Sequence, residues 1–276
     1  MNWRYTRRWC SPLKAAVLDW AGTMVDFGCH APVASFVAAF KEFGVPISIA
    51  EARAPMGLAK WEHIRAIVEA PQVAAAWRRR HGQPAGRADV DAIYERFLPL
   101  QTTMAGEHAG LIPGALEALG AMRARGMKLG STTGYPRVIV DVVLARARAQ
   151  GLEIDCAISA DDTRIGRPSP FPVWQALVDL GVWPVEAAVK IGDTVVDIEE
   201  GLNGGLWSVG VAVSGNEVGL GLEEWRALPT GEQERLRQAA TAKLAAAGAH
   251  YVVDSIADIG PVLDEIDRRL ARGEKP

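Results

Sequence analysis

The chain has 276 residues, with 30 Lys+Arg against 33 Asp+Glu and a formal net charge of −3. That balance excludes the basic field that nucleic acid or an anionic membrane requires. A hydrophobic fraction of 49% beside 23% charged residues describes a globular chain with a large core, in one domain or two. Three widely spaced cysteines (Cys10, Cys29, Cys156) form no CxxC pair, which argues against a disulfide framework and for a reducing, cytoplasmic compartment.

The first residues are basic (Arg4, Arg7, Arg8). The apolar stretch that follows covers only 13–18, interrupted by Lys14 and ended by Asp19, short of the roughly 7–15 residues of a signal-peptide core. Residues 1–13 are therefore expected to be a solvated tail. No run approaches the roughly 18 apolar residues of a membrane span.

Residues 15–18 form a short apolar run expected to be a buried strand ending at Asp19. From 27 to 107 strand-like runs are missing and helix formers dominate. Helices are expected over 33–43, 59–69, 73–80 and 90–104, with a short one opened by Ser48 and Glu51 as a capping box and ended before Pro55. Trp61, Trp77 and Phe97 in this region are expected to be core. Thereafter helix and strand alternate: helix 114–125, strand 127–133, helix 137–150, strand 157–159, helix 172–180, strand 188–191, helix 196–203, strand 207–213, helix 235–248, strand 251–253 and helix 259–272. Strands alternating with helices specify an α/β, doubly wound, Rossmann-like parallel sheet. Residues 1–26 and 108–276 are expected to form this core, and 27–107 an inserted all-helical domain.

Ligands of such sheets bind at the carboxyl ends of the strands, and four groups fall there. Asp19 follows the first strand. The turn Ser131-Thr132-Thr133-Gly134 offers hydroxyls and N–H groups to an anion. Arg167, in Gly-Arg-Pro, carries a guanidinium fork suited to phosphate oxygens. Asp193 and Asp197, in GDTVVD, offer oxygen ligands to a hard cation such as Mg²⁺. A nucleophile, an anion cradle, a counter-charge and a metal site together describe phosphoryl transfer. In the helical insert, Lys60 and His63 are i, i+3 neighbours. A lysine at a closed, partly apolar site has its pKa lowered by desolvation and can act as an amine nucleophile.

These motifs, in this order, resemble the haloacid dehalogenase superfamily, with 27–107 similar to its helical cap. The resemblance implies that Asp19 takes up the phosphoryl group and that Mg²⁺ is held by Asp19, the main-chain carbonyl of Ala21 and Asp193, with Asp197 in support. It implies that Thr133 holds a phosphate oxygen, Thr132 being the neighbouring alternative, and that Arg167 takes the place of the basic residue of the third motif. The set DWAGT, PMGLxKxxH, STTGY, GRP and GDTVxD is similar, more narrowly, to the phosphonoacetaldehyde hydrolases. That resemblance implies a Schiff base between Lys60 and the substrate aldehyde. Met56, Gly57 and His63 would surround the lysine, Gly134 and Tyr135 would stand beside the phosphoryl group, and Cys29 would lie at the hinge of cap and core. It also implies a homodimer formed through the cap.

Position 21 discriminates among the options. Phosphatases of this superfamily carry a second Asp two residues after the nucleophile, where it protonates the leaving oxygen; here that residue is Ala21. Cleavage of a carbon–phosphorus bond needs no such acid, because an iminium on Lys60 accepts the electrons. The alternatives are a Mg²⁺-dependent phosphatase or phosphomutase, against which Ala21 speaks, and a metal-free dehalogenase, against which Asp193 and Asp197 speak. A non-catalytic binding protein on the same fold would have no need of Asp19, Lys60, Arg167 and Asp193 together.

Overall fold

A computed structural model describes residues 8–276. The expected tail therefore lies largely outside the described residues, Arg4 and Arg7 included. Strand β1 (Ala15–Leu18) is followed by five helices: α1 (His30–Glu42), α2 (Ile49–Arg53), α3 (Lys60–Glu69), α4 (Pro71–His81) and α5 (Arg87–Glu107). Then come α6 (Ala115–Ala124), β2 (Lys128–Thr132), α7 (Arg137–Ala149), β3 (Cys156–Ile158), α8 (Phe171–Leu180), β4 (Ala188–Gly192), α9 (Val195–Gly204) and β5 (Trp207–Val211). The chain closes with α10 (Leu222–Ala227), α11 (Thr230–Ala246), β6 (Tyr251–Val253) and α12 (Ile259–Ala271). Helix α10, a short exposed piece with no buried residue, is the one α-helix among the described residues that the sequence pattern did not announce.

The six strands form one parallel sheet in the order β3-β2-β1-β4-β5-β6. The direction of winding reverses at β1, which pairs with β2 on one side and β4 on the other. In register, Leu18 lies beside Ser131 and Ile191. One step further along, Asp19 comes level with Thr132 and Gly192, and Thr133 and Asp193 follow at the rim. The sheet thus delivers the three strand-end motifs to one place, the crevice expected at a topological switch point.

Period-2 alternation along β1 separates two cores. Ala16 and Leu18 join Leu129, Ile139 and Leu263 on one face; Ala15 and Val17 join Val173, Ala176 and Leu180 on the other. The helical unit has its own core, built on Phe36, Phe40, Ile64, Trp77 and Phe97. Each such side chain contributes about 1.5–3 kcal/mol on burial, so the unit is held by its own packing. Trp77 and Phe97 are core as expected, while Trp61 is half-buried at its edge and donates to Asp91 at 2.7 Å. The capping box at α2 is present, with Ser48 N to Glu51 Oε2 at 2.7 Å and Glu51 N to Ser48 Oγ at 3.2 Å. Helix α5 continues through Pro99, where the missing donor and the ring would ordinarily break it; α5 packs on both α1 and α7, and that packing carries it past the proline. No helix among the described residues is long and apolar enough to cross a membrane.

Candidate active site

A small pocket, partly open to solvent, lies between the helical unit and the carboxyl edge of the sheet. Its free interior is well below the roughly 300 Å³ and upward of ordinary ligand sites, so it suits at most a molecule of a few heavy atoms. Asp19, Ala21, Cys29, Met56, Gly57, Lys60, Thr133, Gly134, Tyr135, Arg167 and Asp193 all line it, together with Pro32 and Thr194. Eleven expected residues, drawn from both parts of the chain, thus meet around one space.

Close backbone approaches make the enclosure. A Cβ on Gly134 would lie 2.3 Å from the Leu58 carbonyl oxygen, and one on Gly22 would lie 2.4 Å from Asp193 Oδ2. The first glycine lets the segment 57–58 settle on the sheet edge; the second, at φ +79°, lets the turn after Asp19 wrap against Asp193.

The acidic groups are crowded. Asp19, Asp193 and Asp197 are buried and can present ligand oxygens within 4.8 Å of one another. Burial, with Asp19 and Asp197 close by, pushes Asp193 well above the ordinary carboxylate range. Burial and Asp197 likewise raise Asp19, against the pull of Arg167 and Lys190. Burial opposes the charged form of Asp197 too, but Arg167 and Lys190 outweigh it and hold that group low. Asp193 Oδ2 accepts from the Asn216 N–H at 2.7 Å and from the Cys29 thiol at 3.2 Å. Its Oδ1 is buried with no hydrogen-bond partner among the described residues. A hard divalent cation would satisfy that oxygen and relieve the crowding, so the donor set fits Mg²⁺.

Arg167 is buried against these acids. Nη1 bonds Asp19 Oδ1 at 3.1 Å and also Asp197 Oδ1, while Nη2 donates to the Gly57 carbonyl at 2.8 Å. Below it lies a group absent from the sequence reading. Lys190, fully buried in the middle of β4, bonds Thr132 Oγ1 at 2.7 Å and pairs with Asp197 and Glu200, each at 3.0 Å. Thr132 in turn donates to Glu200 Oε2 at 2.8 Å. The two adjacent threonines are thereby separated: Thr132 is engaged beneath the site, and Thr133 faces the cavity. One signal for Lys190 stood in the sequence, a lone charge inside the apolar run AVKIG, since a lysine in a strand buried on both faces demands partners.

Lys60 opens α3 with its side chain buried, 5.0 Å from the Tyr135 ring centroid and 5.5 Å from that of Phe36. Desolvation, helped by the Arg167 charge, lowers its pKa to about 8. His63 stands apart from this set. It does not line the cavity; Nε2 meets the Ala52 carbonyl at 2.9 Å and the ring stacks on Phe36 at 3.9 Å. Burial and the neighbouring Lys60 keep its pKa well below the usual imidazole value. Cys29 and Tyr135 are both pushed well above their ordinary values by burial, with nearby carboxylates adding to it, so they face the site as neutral groups.

Residues 13–205 match the model of the haloacid dehalogenase-like hydrolases. Phosphonoacetaldehyde hydrolase of Paraburkholderia phytofirmans is 48% identical over 264 residues, covering 96% of this chain and 99% of the relative. The enzyme of that name from Vibrio cholerae is 46% identical over 268 residues, with coverage of 96% and 99%. The chain belongs to the phosphonoacetaldehyde hydrolase family of haloacid dehalogenase-like hydrolases. Among solved structures, a phosphonoacetaldehyde hydrolase-like protein from Oleispira antarctica superposes over the whole of both chains, with a TM-score of 0.98 and 42% identity. A β-phosphoglucomutase-like protein from Bacteroides vulgatus, 20% identical with a TM-score of 0.65 over 94% of this chain, shares the fold alone. Family membership bears out the α/β fold and the family expected from the motifs.

Proposed function

We propose that this protein hydrolyses the carbon–phosphorus bond of phosphonoacetaldehyde to acetaldehyde and phosphate, with 27–107 acting as a mobile cap that carries the amine and the remainder as the core that carries the nucleophile. The names of its relatives supply the substrate. The observation that carries the chemistry is one pocket lined by both the buried Lys60 and Asp19, with alanine where an ester-cleaving enzyme keeps its acid.

The neutral Lys60 amine attacks the aldehyde carbon, water leaves, and the protonated imine forms. The Asp19 carboxylate attacks phosphorus from the sheet edge. The carbon–phosphorus bonding pair moves into the iminium and gives an enamine, so no oxygen leaves and no acid is needed at Ala21. Protonation of the enamine carbon and addition of water release acetaldehyde and return the Lys60 amine. A second water cleaves the aspartyl-phosphate and returns Asp19. Arg167, already between Asp19 and Asp197, and the Thr133–Gly134 turn would bind phosphoryl oxygens. Asp19, the Ala21 carbonyl and Asp193, supported by Asp197, would hold Mg²⁺, which when bound offsets phosphoryl charge. Met56, Gly57 and Tyr135 would wall the aldehyde from water. His63, outside the cavity, reaches the imine chemistry only through Lys60 or a water. The same reading includes a homodimer through the cap helices; a solution mass of 29.6 kDa at working concentration would remove that part.

The test incubates purified protein with phosphonoacetaldehyde and Mg²⁺, following acetaldehyde with a coupled dehydrogenase and trapping the adduct with cyanoborohydride. Acetaldehyde release and label on Lys60 are expected, and Lys60→Arg should lose both. Turnover of small phosphate esters with no acetaldehyde and no label would replace this reading with a phosphatase.

A further inference from the structure

Arg53 ends α2, within the helical unit and outside the cavity. Its Nη1 donates to Asn216 Oδ1 at 3.2 Å and its Nη2 to the Gly219 carbonyl at 2.8 Å. Both acceptors belong to the loop 214–219 after β5, in the core. Gly219 has a left-handed backbone at φ +67°, which favours glycine, and a Cβ there would stand 2.7 Å from the guanidinium carbon, so Arg53 lies directly against this loop.

The loop's other side touches the acid cluster. The Asn216 N–H donates to Asp193 Oδ2 at 2.7 Å, and a Cβ on Gly215 would lie 2.4 Å from Asp193 Cβ. The same loop is tied to the turn after Asp19: Ser214 Oγ donates to the Gly22 carbonyl at 2.7 Å, and Gly28 N–H donates to the Ser214 carbonyl at 2.8 Å. Asn216 is buried. Its backbone N–H fixes one oxygen of Asp193 and leaves the other, Oδ1, without a hydrogen-bond partner among the described residues and available to a cation. Its side-chain oxygen is meanwhile held by an arginine from the opposite domain.

We propose that Arg53 is a positioning residue that couples seating of the cap to the cation site, through Asn216 and Asp193. With the cap seated, Arg53 fixes the loop, and the loop fixes the Asp193 carboxylate in its ion-binding orientation. With the cap raised, both Arg53 bonds are lost and the loop is held from the core side alone. Coupling of this kind is reciprocal, so the ion favours the seated cap as strongly as the seated cap favours the ion. Chemistry is thereby confined to the closed enzyme, because an open site binds the cation less well. This rests on the metal reading of the proposed function, but not on the substrate.

The experiment needs no turnover. Mg²⁺ is titrated calorimetrically into the full-length protein, and hydrogen exchange of residues 49–58 is followed with and without Mg²⁺. In the wild type, Mg²⁺ should slow exchange there. Arg53→Met should weaken Mg²⁺ binding about fivefold or more and erase the exchange response. Asn216→Ala, which keeps the backbone donor to Asp193 but removes the acceptor for Arg53, should behave likewise. Arg53→Lys, keeping one donor, should restore part of both. Thermal melts of each variant separate these effects from loss of fold, and the Asn216 variant serves should Arg53→Met fail to fold. Wild-type Mg²⁺ affinity together with an intact exchange response in both variants overturns this proposal alone. Failure of the wild type to bind Mg²⁺ overturns the metal reading and this proposal with it.

Discussion

At the scale of single residues, Lys60 would decide the pH behaviour of the proposed reaction. The proposed imine requires a neutral amine, and burial beside Arg167 brings the Lys60 pKa to about 8. The rate of reductive trapping at saturating aldehyde should rise about tenfold per pH unit below 8 and level off above it; a flat profile from pH 6 to 9 would contradict an amine nucleophile with this pKa. The same burial opposes folding. The folded-state pKa lies below the unfolded value of 10.5, so a protonated Lys60 destabilises the fold fully below pH 8. The unfolded chain binds the extra proton between about 8 and 10.5, and across that window the penalty is relieved. Lys60→Met should therefore stabilise the protein by about 2–3 kcal/mol at pH 7 while abolishing trapping, checked by paired denaturant titrations. Asp19, Asp193 and Lys60 were legible in the sequence because each sits at a strand end or helix start within a spaced motif, and Arg167 because it stands in the Gly-Arg-Pro motif of the loop between β3 and α8. Pro32 was not: it reaches the cavity only because the start of α1 is brought to the sheet edge, and no local pattern records that.

Among the elements, the turn after β2 and the middle of β4 carry the sharpest consequences. Gly134 has an ordinary backbone conformation, so Gly134→Ala should fold normally. Its methyl would nonetheless stand where the Leu58 carbonyl settles, holding the 57–58 segment off the sheet. Displacements near 1 Å cost on the order of 10²-fold in rate; kcat should fall by about that factor with the melting temperature nearly unchanged, and a coincident loss of stability would argue against a closure defect. Lys190 is the counter-case. Lys190→Met leaves Asp197 and Glu200 buried without their cation and should cost about 3–5 kcal/mol, read from chemical denaturation. Lys190→Met with Glu200→Gln should recover part of that loss. The strands and most helices were announced by periodicity and capping signals, whereas the Lys190–Glu200 pair was hidden because its members lie on β4 and α9 and meet only after the crossover packs. Helix α10 escaped for the opposite reason: it buries no residue, so it imposes no apolar period.

Across the whole molecule, two hydrophobic assemblies divide the labour. The sheet, packed on both faces, fixes Asp19, Thr133 and Asp193 relative to one another through strand register. The helical unit, with a separate core, places Lys60 and Arg53 against them. With the proposed nucleophile and ion site on one frame and the proposed amine on an independently packed unit, the amine would be able to move without disturbing the frame. The alternation of strands and helices made the frame readable from the sequence, and the long strandless interval made the insert readable. The seating of one on the other was not readable, because it depends on glycines whose significance is steric and on backbone carbonyls that carry no sequence signature.

The two connections to the insert run side by side. Val25 bridges to Ala21 on the way out and to Leu111 on the way back, and the Asp26 carboxylate accepts the His30 and Ala31 N–H groups at 3.0 Å where α1 begins. Entry and exit thus share a single stalk, and the sheet closes beneath it whatever length of chain lies above, since loop closure costs little more for a long insertion than for a short one. Such an arrangement is modular in the grafting sense. A different helical unit could be spliced onto the stalk without touching strand register, so the phosphoryl chemistry would be inherited from below while the electrophile-activating group was exchanged from above. Transplanting residues 27–107 onto a phosphatase of the same fold should accordingly carry Lys60 with it, and with Lys60 the capacity to form an imine.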